Sequence, residues 1–101
     1  MTEQLLPPSW DGSVVLDIGG DVGALMLRVP ADLNGHEVDI QPDDPGAPRT
    51  HSAVRERRLK SGALYAAIYP SLAQGSYTVV ASGQRFQITG GKITELDYET
   101  L

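Results

Sequence analysis

The stretch Ala63-Leu64-Tyr65-Ala66-Ala67-Ile68-Tyr69-Pro70-Ser71-Leu72-Ala73-Gln74-Gly75-Ser76-Tyr77-Thr78-Val79-Val80-Ala81 decides the fold class. Its first half sets Leu64, Ala66 and Ile68 against Tyr65, Ala67 and Tyr69. A period of two is the signature of a strand, whose side chains point to opposite faces in turn. Ser76 to Ala81 is a run of β-branched and aromatic residues, which fits a pleated, half-buried surface. Between the two lies Leu72-Ala73-Gln74-Gly75-Ser76-Tyr77. A leucine, a glycine and then a tyrosine entering a strand is the pattern of a tyrosine corner, where the hydroxyl bonds back to upstream backbone. Gly75 supplies the backbone freedom that such a turn needs. The motif is structural and carries no catalytic content.

The same period extends outward in both directions. Ser13 to Ile18 places Val14, Leu16 and Ile18 on one face, and Gly19-Gly20-Asp21 turns the chain. Ala24 to Val29 groups Leu25, Leu27 and Val29 against Met26 and Arg28. Glu37 to Gln41 alternates through Val38 and Ile40, and Thr50 to Arg58 alternates more weakly. Gln41 to Pro48 holds three prolines and a glycine, so it reads as a loop. Gln84 to Thr89 alternates through Phe86 and Ile88, then Gly90-Gly91 leads into Lys92 to Tyr98. No long window carries a helical period with caps. The pattern predicts an all-β chain: a single Greek-key β-sandwich of seven to eight short antiparallel strands. Residues 1–9, with Pro7-Pro8, are expected to be a flexible arm, and residues 10–101 the sandwich. The expected core is Val14, Leu16, Leu25, Leu27, Val38, Ile40, Val54, Leu64, Ile68, Tyr77, Val79, Phe86, Ile88 and Leu96.

A resemblance adds to this reading. Ile68 to Val79, then Phe86 to Ile88, Gly90-Gly91 and Ile93 to Leu96, resemble the carboxyl half of prealbumin-like sandwiches. These include the carboxypeptidase regulatory-like and Cna-B-like domains, with their Leu-x-x-Gly-x-Tyr-x-Val hairpin. The resemblance covers about a third of the chain. It implies a Greek-key sandwich that serves as a scaffold or interaction domain, and no activity. The Lys and Asn that form isopeptide bonds in some Cna-B-like domains have no counterpart here. Val14 to Leu25 resembles the opening of small uncharacterised actinobacterial proteins, which brings no function with it.

Composition narrows the function classes. At 101 residues the chain is one domain. It has no cysteine, which excludes disulfide frameworks, thiolate metal sites and cysteine nucleophiles, and suits a reducing, cytoplasmic setting. Met1 to Pro8 lacks the basic and apolar regions of a signal peptide. The uncharged stretch Ser61 to Gln84 is broken by Pro70, Gly75 and Gly83 and cannot span a bilayer as a helix. The net charge of −5 disfavours phosphate backbones. That charge is blocked. Residues 1–48 hold nine acids and one base, 49–60 five bases and one acid, and 61–101 two bases and three acids. A hairpin of Glu37–Gln41 with Thr50–Arg58 explains the blocks, in a register pairing Val38 with Val54, Ile40 with Ser52 and Glu37 with Arg55.

Few residues offer chemistry. Asp17 and Asp21 flank glycines but lack the alternating ligands and distal Glu of an EF-hand, so a turn is the simpler reading and a weak cation site the sharper one. His36 and His51 stand on opposite hairpin faces, which does not suit one metal ion. Ser52 and His51 also point apart, wrong for a nucleophile–base pair. Arg55 and Arg57 share a strand face without aromatic partners for nucleic acid. Tyr65 and Tyr69 share a face and form either core or an aromatic contact surface. The chain is therefore expected to be a non-catalytic interaction module, self-associating as a homo-oligomer or accessory to a larger protein. Tyr65, Tyr69, Arg55 and Arg57 are its candidate contact residues, with no catalytic residue, cofactor, metal, nucleic acid or membrane partner. The alternative is a small ligand-binding module for a glycan or a divalent cation.

Overall fold

A computed structural model describes Leu16 and residues 18–59 and 62–99. The expected arm at residues 1–9, the expected core residue Val14 and the carboxylate of Asp17 lie outside the described residues. Seven strands follow one another: β1 (Val22–Val29), β2 (Glu37–Pro42), β3 (Thr50–Leu59), β4 (Gly62–Ala73), β5 (Gly75–Val79), β6 (Arg85–Ile88) and β7 (Ile93–Asp97). A single turn of 3-10 helix, Ala31–Leu33, joins β1 to β2, and the described residues hold no α-helix. The all-β expectation is met.

The strands form one sheet in the order β6-β5-β2-β3-β4-β1-β7. Strand β3 belongs to both halves. Thr50–Ala53 pair with β2, and Val54–Leu59 pair with β4. Where β3 leaves β4, the Ser52 hydroxyl donates to the Ile68 carbonyl at 2.6 Å, replacing a ladder bond with a side-chain one. The end strands approach each other across a seam. Thr94 Oγ1 donates to the Gln87 carbonyl (3.2 Å), and Gln84 Nε2 to the Asp97 carbonyl (2.9 Å). The sheet is thus nearly closed into a barrel.

One expectation is corrected: the pairing is not antiparallel throughout, because β7 runs parallel to β1. Parity accommodates it. A ring whose neighbours all run antiparallel needs an even number of strands, so a near-closed ring of seven holds at least one parallel contact, and here it falls at β1 and β7. Arg28 reinforces that pair from β1, reaching Asp97 at 2.7 Å and Glu95 at 2.8 Å on β7.

The barrel interior holds Leu25, Leu27, Val38, Ile40, Val54, Ala67, Tyr69, Leu72, Tyr77, Val79, Phe86 and Ile88. Each large aliphatic side chain among them contributes roughly 1.5–3 kcal/mol on burial. Tyr77 and Phe86 stack with centroids 5.4 Å apart. The tyrosine corner forms as read from the sequence, with the Tyr77 hydroxyl donating to the Ala73 carbonyl at 2.5 Å. A second cluster, Met26, Ala66 and Ile68, is buried on the opposite side of β1 and β4, with Leu16, Leu64 and Ile93 packed against it. Both sides of these two strands are therefore covered.

This corrects the expected placement of Leu64 and Ile68 in the main core. Tyr65, Ala67 and Tyr69 take the inward phase instead, and Leu72 rejoins it three residues later. The register explains the switch: Leu25 opposes Tyr69 and Gly23 opposes Leu72, so Ala24 faces both Pro70 and Ser71. That is a β-bulge, and a proline that cannot donate suits it. A bulge inverts the in–out phase, and continuous alternation misses it.

The hairpin of β2 and β3 keeps its expected faces but slides by two residues. Val38 opposes Ser52, Asp39 opposes His51 and Glu37 opposes Ala53, so Glu37 does not pair with Arg55. A slip of two preserves every side chain's face, where a slip of one would invert them all.

The two glycine turns dock on each other. A Cβ built on Gly90 would sit 2.1 Å from the Gly20 carbonyl oxygen, and one on Gly23 would sit 2.4 Å from that of Thr89. Gly91 has φ of 75° but open space around it. Gly90→Ala should therefore lower stability in urea unfolding by roughly 3 kcal/mol, as overpacking against rigid neighbours does. Gly91→Ala should cost about 1–2 kcal/mol through its backbone alone. Equal costs for the two would contradict the docked turns.

Candidate functional site

The structure separates the four candidate contact residues. Tyr69 is interior, 2% exposed, and its hydroxyl donates to the Val38 carbonyl at 2.5 Å. Tyr65 is half-buried and packs against the same core. The two tyrosines therefore build no outward platform. Arg55 is exposed, opposite Ala66, whereas Arg57, opposite Leu64, is 4% exposed. Both lie on the side of the second cluster, so the expected shared face is real but only Arg55 opens to solvent.

The other singled-out groups have structural work. Asp21 is exposed, and its carbonyl accepts from the Gln74 N–H at 2.8 Å. The Ser52 hydroxyl is committed to Ile68. His51 Nε2 lies 3.8 Å from Glu37, and His36 is exposed. Among the described residues, no group of three or more His, Asp or Glu is placed to hold a metal ion. Nor is any described helix long and apolar enough to cross a membrane.

The feature that brings polar and apolar groups together is one the sequence reading missed. Strand β2 outruns its neighbour. Ile40, Gln41 and Pro42 pair with Val79, Thr78 and Tyr77 of β5. The Val80 N–H adds one bond to the Asp39 carbonyl at 3.0 Å. Then the chain turns, with the Gly83 N–H donating to the Val79 carbonyl at 2.8 Å. No described strand lies beside β2 on this side before Asp39, which leaves a notch in the barrel wall.

The notch is a cleft of about 350 Å³. Leu33, Val38, Val80 and Ala81 give it apolar walls, and His36, Glu37, Asp39 and Tyr98 a polar rim. Val80 is 39% exposed and is the exposed large hydrophobic residue among those described. Its exposure follows from alternation, because Val79 next to it is fully buried. Leu33 arrives on the 3-10 turn, and Tyr98 is held by its N–H bond to the Arg28 carbonyl at 2.8 Å.

The carboxylates at the rim are only loosely engaged. Asp39 lies 3.7 Å from Arg49 and Glu37 3.8 Å from His51, beyond hydrogen-bond distance. Exposed pairs of this kind contribute about 0–1 kcal/mol. Below them Tyr69 stays neutral: burial, then the nearby charge of Asp39, hold its hydroxyl well above the ordinary tyrosine range. Burial also raises Tyr77. The cleft thus combines an apolar wall with two carboxylates at its rim, which suits binding of a side chain with an apolar stem. Its only sequence signal is the Val79-Val80 pair. The mismatch in strand length is set by the turn at residues 80–83.

No family model, no curated protein and no solved structure matches this chain.

The tyrosine geometry has a measurable consequence. A hydroxyl whose folded pKa exceeds its unfolded value of 10.0 stabilises the fold fully below that value. That stability is lost as pH rises through the higher folded value. Chemical denaturation across alkaline pH should show this decline. Tyr69→Phe should make it shallower while costing about 1–3 kcal/mol at neutral pH, since Val38 loses a buried donor. An unchanged alkaline limb would contradict the buried, neutral assignment.

Proposed function

We propose that the chain is a non-catalytic interaction module, self-associating or accessory to a larger protein, whose contact surface is the notch between β2 and the turn after β5. The observation that carries this reading is the coincidence in one cleft of the exposed Val80, the half-buried Tyr98 and the first two residues of β2, Glu37 and Val38, beside which no described strand lies on the β5 side. An uncovered strand is a ready template for another chain, and proteins normally blunt such edges. The seam between β6 and β7 is stitched by side chains, whereas the notch is open. A cytoplasmic setting fits the cysteine-free composition.

The fold family we favour is the prealbumin-like Greek-key sandwich. The tyrosine corner at Tyr77 and the Leu72-to-Val79 hairpin support it. The parallel β1–β7 pair and the shared strand β3 are features it must accommodate. A second reading, a small ligand-binding module, is favoured by the cleft volume of about 350 Å³, at the lower end of ligand pockets.

A photo-cross-linking side chain at Ala81 tests the first reading. Irradiation in the source cell should give a discrete adduct with a protein or a second copy, and Val80→Asp should remove it. Failure to form an adduct, with sedimentation as a strict monomer at every concentration, would refute the contact.

A further inference from the structure

We infer that the notch takes the side chain of a lysine or arginine carried on an extended segment of a partner protein; this rests on the notch being the contact surface proposed above. Three features of the cleft converge on that occupant.

The first is charge. Glu37 and Asp39 line the mouth, and their present neighbours stand off at 3.8 and 3.7 Å. A carboxylate has about four acceptor positions, so both retain capacity for a closer donor. The bases beside these carboxylates or on the cleft wall are Arg49, His51 and His36, all exposed and able to swing aside. Asp32 and Glu99, adjacent in sequence to the lining residues Leu33 and Tyr98, add negative charge at the same end.

The second is shape. Long basic side chains bury their methylene stems on apolar surface and keep the charged head in a polar setting. Val80 and Leu33 offer the apolar surface, and Tyr98 lines the same cleft. A neutral or acidic side chain would leave the two carboxylates unmatched.

The third is main-chain direction. The His36 carbonyl accepts from Val54 N–H on β3, while the Asp39 carbonyl accepts from Val80 N–H on the opposite side. Backbone groups alternate along a strand, so those of Glu37 aim at the notch, one step past the end of β5. An extended partner residue pairing there sets the register, and its neighbour's side chain enters the cleft.

The test uses the full chain, isotopically labelled, titrated with an acetylated Thr-Val-Arg-Val-Thr amide and with the same peptide carrying Gln for Arg. Amide shifts at Glu37, Asp39, Val80 and Ala81 are expected with the arginine peptide. Binding should weaken about tenfold with the glutamine peptide, and as much with the Glu37→Gln/Asp39→Asn double variant. Spectral dispersion confirms that the variants fold. Equal binding of both peptides, or no shift at all with the arginine peptide, overturns the basic occupant. Val80→Ser separates the two levels. If it weakens both peptides alike while they bind equally, the contact surface stands and the cation is wrong. If it changes nothing while peptide binds, the contact surface itself is wrong.

Discussion

Seven strands arranged in a ring cannot all run antiparallel to their neighbours, and the rest of this structure follows from how that constraint is met. The chain places its parallel pair between β1 and β7 and leaves its weakest joint between β6 and β7. The parallel pair is the better reinforced of the two. It carries a ladder from Ala24 to Arg28 and the double ion pair of Arg28 with Glu95 and Asp97. The seam relies on Thr94 and Gln84 side chains, which span a gap too wide for a ladder. Closing the ring in this way turns both end strands toward each other and spares the protein two exposed edges.

Strand β3 makes the closure possible. A flat seven-stranded sheet would have to curl, and β3 does so by exchanging partners at Val54, from β2 to β4. Ser52 stands at the exchange and supplies a hydroxyl where a backbone bond is lost. Across the sheet, the Pro70–Ser71 bulge bends β4 at a comparable depth. The two devices act together: one frees a strand from its neighbour, and the other twists the neighbour out of plane. The docked glycine turns at Gly20 and Gly90 then fasten the end of the barrel opposite the notch, where no side chain would fit.

Much of this was legible in the residues, and what was not has identifiable physical causes. β1, β2, β3, β4 and β6 were marked by alternation, β5 by its β-branched and aromatic run, β7 by the Gly90-Gly91 turn before it, and the tyrosine corner by Gly75 and Tyr77, because these signals are local. The inward phase of β4 was misread because a single extra residue at Pro70–Ser71 inverts alternation without disturbing it on either side. The hairpin register missed by two, since opposite charges on the outer face allow either pairing and the inner face is indifferent to an even shift. The parallel strand was missed because direction is a property of the closed ring and of no segment in it. Tyr65 and Tyr69 illustrate the same limit: spacing placed them on one face, and only the bulge and the closure decide that this face is the inside.

The notch is the clearest case of a feature that belongs to assembly rather than to sequence. Its walls come from Leu33, β2, the turn after β5, and Tyr98. No pair of these is joined by a motif. Its mixed character nevertheless follows from strand chemistry. Along β2, Val38 points inward, and Glu37 and Asp39 point outward, so a cleft at the end of that strand meets the buried Val38 on one side and the two carboxylates on the other. A shorter β2 would remove the cleft, and a longer β5 would seal it with backbone. The turn at residues 80–83 prevents the second outcome, and the β5 ladder at Ile40–Pro42 prevents the first. The opening is thus held by paired strands on two sides. A site held in this way is preformed, so an occupant meets little ordering cost on arrival.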